Sequence, residues 1–132
     1  MERKQVLLID NDRFSLSVLQ RLVDDLGYEP LIGSTLDAAQ NLMETQKVRV
    51  IVLNQDLEAE WGLSLFERLR SNVTTSDIPV ILLSQSSVRF SPRIENNDDN
   101  TVCFQKPIAI EPFVRHFRTL IGEAAIYPTS SA

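Results

Sequence analysis

The chain has 132 residues, an apolar fraction of 43% and a formal net charge of −5. That length is enough for one domain with one buried core, without metals or disulfides to hold it. The mildly acidic balance argues against a bulk electrostatic grip on nucleic acid, and no apolar run approaches the length of a membrane span. Met1 to Gln5 leads straight into a strand pattern rather than a secretory signal, and the lone Cys103 fits a reducing compartment. A soluble cytoplasmic protein with no membrane or direct nucleic-acid partner is expected.

In chain order, Gln5 to Ile9 reads as a buried strand ending in Asp10-Asn11-Asp12. Phe14, Val18, Leu19, Leu22, Val23 and Leu26 then recur at helical spacing, and Gly27 closes that helix. Tyr28 to Ile32 is a short second strand. Ser34 or Thr35 caps a helix that carries Leu36, Ala39, Leu42 and Met43, with Asp37 at the positive end of its dipole. Val50 to Leu53 is an apolar, β-branched run, read as a strand buried on both faces and ending abruptly at Asn54-Gln55-Asp56.

Leu63, Phe66 and Leu69 mark a third helix that runs out near Asn72. Ile78 to Leu83 is a fourth strand, with Pro79 tolerated at its start and Ser84 at its end. Between Ser86 and Asn100, Pro92 and the run Asn96-Asn97-Asp98-Asp99-Asn100 allow only a short or distorted fourth helix. Thr101 to Phe104 is a fifth strand leading to Gln105-Lys106-Pro107. A last helix starts near Ile110, accepts Pro112 in its first turn, and buries Phe113, Val114, Phe117, Leu120 and Ile121. Beyond Gly122 the pattern stops: residues 1–123 are expected to form the domain and 124–132 a frayed tail.

Strands alternating with helices predict an α/β fold with a parallel sheet covered on both faces. Such a sheet gathers the residues after its strands at one edge. Asp10, Asn54, Ser84 and Lys106 each follow the apolar run of a different strand, which makes that edge the candidate site.

Four pieces in this order and spacing resemble the CheY-like receiver domain of response regulators over roughly residues 4 to 123. They are Leu7-Leu8-Ile9-Asp10-Asn11-Asp12, Leu53-Asn54 with Gly62 beyond it, Pro79-Val80-Ile81-Leu82-Leu83-Ser84, and Lys106-Pro107. The resemblance implies a doubly wound, flavodoxin-like five-stranded sheet in the order 2-1-3-4-5. It also implies a phosphoacceptor aspartate after the third strand, served by a histidine-kinase partner and a divalent cation. A hydroxyl after strand four and a lysine before a cis-proline would contact the phosphoryl group.

The departures from that pattern fall on the chemistry. The acceptor position is Asn54, whose amide nitrogen cannot supply the anionic oxygen needed for acyl-phosphate formation. The acidic pair has become Asp10-Asn11, so magnesium, which relies on carboxylates, is expected to bind weakly or not at all; Asp10, Asp12 and Asp56 are the remaining candidates. Lys106 needs a partner, and either Asp10 or the Asn54 carbonyl could supply it. The aromatic switch position three residues before the lysine is Cys103. A pseudo-receiver is therefore expected: no catalytic residue, no cofactor, and a degenerate site made of Asn54, Asp10, Asn11, Ser84 and Lys106.

Two other readings stay open at the level of sequence. Asp10 and Asp12 also resemble the nucleophile and acid/base pair of haloacid-dehalogenase phosphohydrolases, although no suitable acidic motif follows Lys106. Magnesium-dependent phosphorylation at a non-standard acidic residue is the other. The expected partner is a protein, either a signalling kinase or an output protein, meeting the last helix, the fifth strand and the irregular segment before it. Arg89, Arg93, Cys103, Phe104 and His116 mark that surface. The oligomeric state is left open, as is whether the chain stands alone or is one domain of a longer protein.

Overall fold

A computed structural model describes residues 3–54, 56, 65–84 and 100–122. Within them the chain forms β1 (Gln5–Ile9), α1 (Arg13–Asp25), β2 (Glu29–Gly33), α2 (Leu36–Thr45), β3 (Val48–Asn54), α3 (Leu65–Ser71), β4 (Val80–Ser84), β5 (Thr101–Gln105) and α4 (Ile110–Leu120). The strands make one sheet in the order β2-β1-β3-β4-β5, and every neighbouring pair is parallel. The doubly wound sheet in the order 2-1-3-4-5 is therefore observed. The distorted helix expected between Ser86 and Asn100 lies, up to residue 99, outside the described residues, as do Arg89, Arg93 and the tail.

Alternation along the strands builds a core on each face. Val6 and Leu8 of β1, Val50 and Val52 of β3, and Ile81 and Leu83 of β4 pack with Leu16, Leu19 and Val23 of α1 and Phe113 and Phe117 of α4. The residues between them, Leu7, Ile9, Ile51, Leu53, Val80 and Leu82, pack with Ala39 of α2 and Leu65, Phe66 and Leu69 of α3. Each of the Val, Leu, Ile and Phe side chains contributes about 1.5–3 kcal/mol when fully buried. The sheet is thus fixed from both sides, and its edges cannot slip register without exposing a core face.

Element boundaries follow from local hydrogen bonds. Tyr28 was expected to open the second strand, but its N–H donates to Val23 O at 3.1 Å and so belongs to the end of α1, leaving Glu29 to begin β2. Gly27, at φ 96°, supplies the left-handed turn between them. Of the two possible caps of α2, Thr35 is the one used, its Oγ1 accepting from Ala38 N at 3.1 Å. Gly33 ends β2 because α2 leaves no room for a side chain: a Cβ there would lie 2.9 Å from Ala39 Cβ.

Only part of the apolar set of α1 is buried. Leu16, Leu19 and Val23 face the sheet, whereas Phe14 is 75% exposed and Val18 41%. Apolar residues occupy more than one stripe of this helix, and only one stripe can meet the sheet. In α4, Phe113 and Phe117 are buried while Val114 and Leu120 are only partly covered. No described helix is long and apolar enough to cross a membrane.

Candidate functional site

The carboxyl ends of β1, β3 and β4 come together because Ile9 pairs with Leu53 and Asn54 pairs with Leu83, while Ser84 pairs with Gln105 of β5. The next residue after β1 is Asp10 and the next after β5 is Lys106. Asp10, Asn54 and Ser84 are buried, at 1%, 8% and 4% exposure, and the lysine side chain is 15% exposed. Polar groups this deep must find partners within the protein.

They find one another. Asn54 Nδ2 donates to Asp10 Oδ1 at 3.0 Å, and the same oxygen accepts from Asp12 N at 3.0 Å. Among the described residues Asp10 Oδ2 has no hydrogen-bond partner, and it faces Lys106 Nζ at 3.7 Å. Asn54 Oδ1 accepts from Asp56 N at 3.0 Å, and Ser84 Oγ donates to Asp56 Oδ1 at 2.7 Å. The Lys106 main-chain N–H donates to Ser84 O at 2.8 Å, and its peptide bond to Pro107 is cis.

Of the two partners open to Lys106, Asp10 is the one that faces it, and the Asn54 carbonyl oxygen accepts from Asp56 N. Asp12 caps α1: its Oδ2 accepts from Ser15 N at 3.0 Å and Ser15 Oγ at 2.7 Å. The Ser15 hydroxyl, followed by its amide, holds the Asp12 carboxyl below its ordinary pKa. Asn11 is exposed. Among the described residues no group of three His, Cys, Asp or Glu side chains is placed to hold a metal ion.

The bond from Ser84 to Asp56 is the feature that reading the sequence missed. Asp56 entered only as a metal candidate, and no periodic pattern extends past Asn54. What could have found it is its offset of two from a buried strand end, the spacing at which a side-chain amide accepts from main chain in an Asx-type turn.

Of the described residues expected to meet a partner, Cys103 and Phe104 are only partly exposed. Phe104 lies between Phe113 and His116, with ring centroids 5.7 and 5.4 Å away, and Cys103 is half-buried. His116 is exposed, its Nδ1 3.0 Å from Pro112 O. The more open apolar surface lies elsewhere: Phe14 and Val18 of α1, with Pro107, Ile108 and Ile110, line a groove of about 640 Å³ that reaches Lys106 and Asp12.

The chain matches the family model described as the response regulator receiver domain over residues 6–117. Its fold is similar to that of the signal receiver domain of an HD domain-containing protein from Pseudomonas fluorescens Pf-5. That structure is 19% identical with a TM-score of 0.78, over 96% of this chain and 100% of the other. The Vibrio cholerae chemotaxis protein CheY4 is 16% identical with a TM-score of 0.72, over 89% and 98% of the two chains. The receiver domain of a sensor histidine kinase from Pseudomonas aeruginosa PAO1, solved with a magnesium ion in its active-site cleft, is 20% identical with a TM-score of 0.74, over 92% and 99%. No curated protein sequence matches the chain.

Proposed function

The chain belongs to the response regulator receiver domain family, and from that membership we propose that it is a non-catalytic signalling domain that acts through protein contacts without phosphorylation at Asn54. Receiver domains work with kinases or output proteins in two-component systems, and a partner of that kind is proposed here. The observation that carries the reading is the bond from Asn54 Nδ2 to Asp10 Oδ1. A hydrogen-bond donor stands where phosphoryl transfer would need an anionic oxygen.

The proposal extends to magnesium, for which weak or no binding is expected. Asp10 Oδ2 faces an ammonium group rather than an open position, and Asn54 Oδ1 already accepts from main chain. Magnesium favours carboxylate oxygens in near-octahedral array and gives up its waters reluctantly, which two neutral amides at positions 11 and 54 do not encourage. A phosphohydrolase mechanism finds little support in the same contacts. Asp10 is buried and accepts two hydrogen bonds, and Asp12 is committed to the start of α1.

The test is incubation with magnesium and a small-molecule phosphodonor such as acetyl phosphate, read by intact mass, with the fluorescence of the single Trp61 followed through a magnesium titration. No covalent phosphate and no saturable response near millimolar magnesium are expected. A stable acyl phosphate on the unsubstituted chain would overturn the reading.

A further inference from the structure

The contacts at the strand ends close into a circuit that runs from the Lys106 main chain to Ser84, from Ser84 to Asp56, from Asp56 to Asn54, from Asn54 to Asp10, and from Asp10 back to the Lys106 ammonium. We infer that Asp56 is a built-in anionic occupant of this edge: its carboxylate accepts the Ser84 hydroxyl hydrogen bond that an incoming oxyanion would otherwise receive, and latches the end of β3 to the end of β4. The inference deepens the reading of Asn54 as a closed acceptor and rests on it, but it makes a separate claim about Ser84.

Three observations carry it. Ser84 is buried at 4% exposure, so its hydroxyl needs an internal partner, and the bond of 2.7 Å to a carboxylate oxygen is of the short, charge-assisted kind. Asp56 is anchored through its own main chain, since its N–H donates to Asn54 Oδ1 at 3.0 Å, which holds its backbone at the end of β3 within reach of Ser84. The third is charge. An oxyanion seeking the Ser84 hydroxyl would have to displace a carboxylate while standing beside it, with Asp10 already opposite the nearby ammonium of Lys106.

The latch is tested first by a double-mutant cycle on the unfolding of the full chain. Ser84→Ala and Asp56→Ala should each lower the folding equilibrium constant about fivefold, and the double variant no further than the worse single one. Losses that simply multiply would overturn the inference. A second measurement places a carboxylate back at the acceptor. In an Asn11→Asp/Asn54→Asp background, with magnesium present, adding Asp56→Ala should tighten beryllofluoride binding about tenfold by freeing the Ser84 hydroxyl. Unchanged or weaker binding would overturn it. Phosphorylation of the unsubstituted chain would sink the closed-acceptor reading alone, because the cycle measures the coupling of Asp56 to Ser84 in the absence of any phosphodonor.

Discussion

Asn54 Nδ2 and Asp10 Oδ1 lie 3.0 Å apart across the ends of β3 and β1, a contact in which the amide gives a proton that a carboxylate would not have. Asn54→Asp should therefore cost about 1–3 kcal/mol of stability at neutral pH, since it removes a donor from a buried acceptor and brings two anions together. The loss should shrink in mildly acidic buffer. Like-charge repulsion raises the pKa of one of the two carboxyls, and its protonation restores a donor. Urea unfolding of both proteins across that pH range measures the effect; a variant as stable as its parent at neutral pH would show that the amide is not the required partner.

The Asp12 cap predicts a pH dependence of its own. Its carboxyl is held below the ordinary value in the folded chain by Ser15, so the stability it contributes is fully present above the unfolded-state pKa and is lost as pH falls through the lowered one. Asp12→Asn keeps an oxygen for the Ser15 amide but does not titrate. Comparing urea midpoints of the two proteins across the acid range should show the parent losing its advantage as Asp12 protonates. Parallel pH profiles would count against the cap as the cause.

The exposed stripe of α1 and its buried stripe should respond differently to truncation. Leu19 is 4% exposed within the core between α1 and the sheet, and Leu19→Ala should destabilise by about 2–5 kcal/mol. Phe14 is 75% exposed beside the groove, and Phe14→Ala should change stability by no more than about 0.5 kcal/mol. Equal losses in a denaturant titration would mean that the groove is filled from within the chain.

Strand identities were legible because a strand buried on both faces has an unmistakable composition: Val6 to Ile9, Val50 to Leu53 and Val80 to Leu83 are apolar without interruption. The residues after those runs, Asp10, Asn54 and Ser84, follow from the topology, as does Lys106 after the fifth strand, so all four fall at one edge from the sequence alone. Which of them touch was harder to read. The partner of Ser84 is set by the path of the chain after Asn54, where no periodic signal survives. The buried face of α1 is hidden for a related reason, since Phe14 and Val18 obey the same spacing as the residues that do reach the core.

The bond from the Lys106 main-chain N–H to Ser84 O involves no side chain at all. The outline of the edge is thus fixed by backbone, while its reactivity is fixed by the identities of four or five side chains projecting from that outline. A domain built this way can exchange one set of edge chemistry for another without refolding. A partner that recognises the contour of the edge would then be met by the same backbone whichever side chains the edge carries.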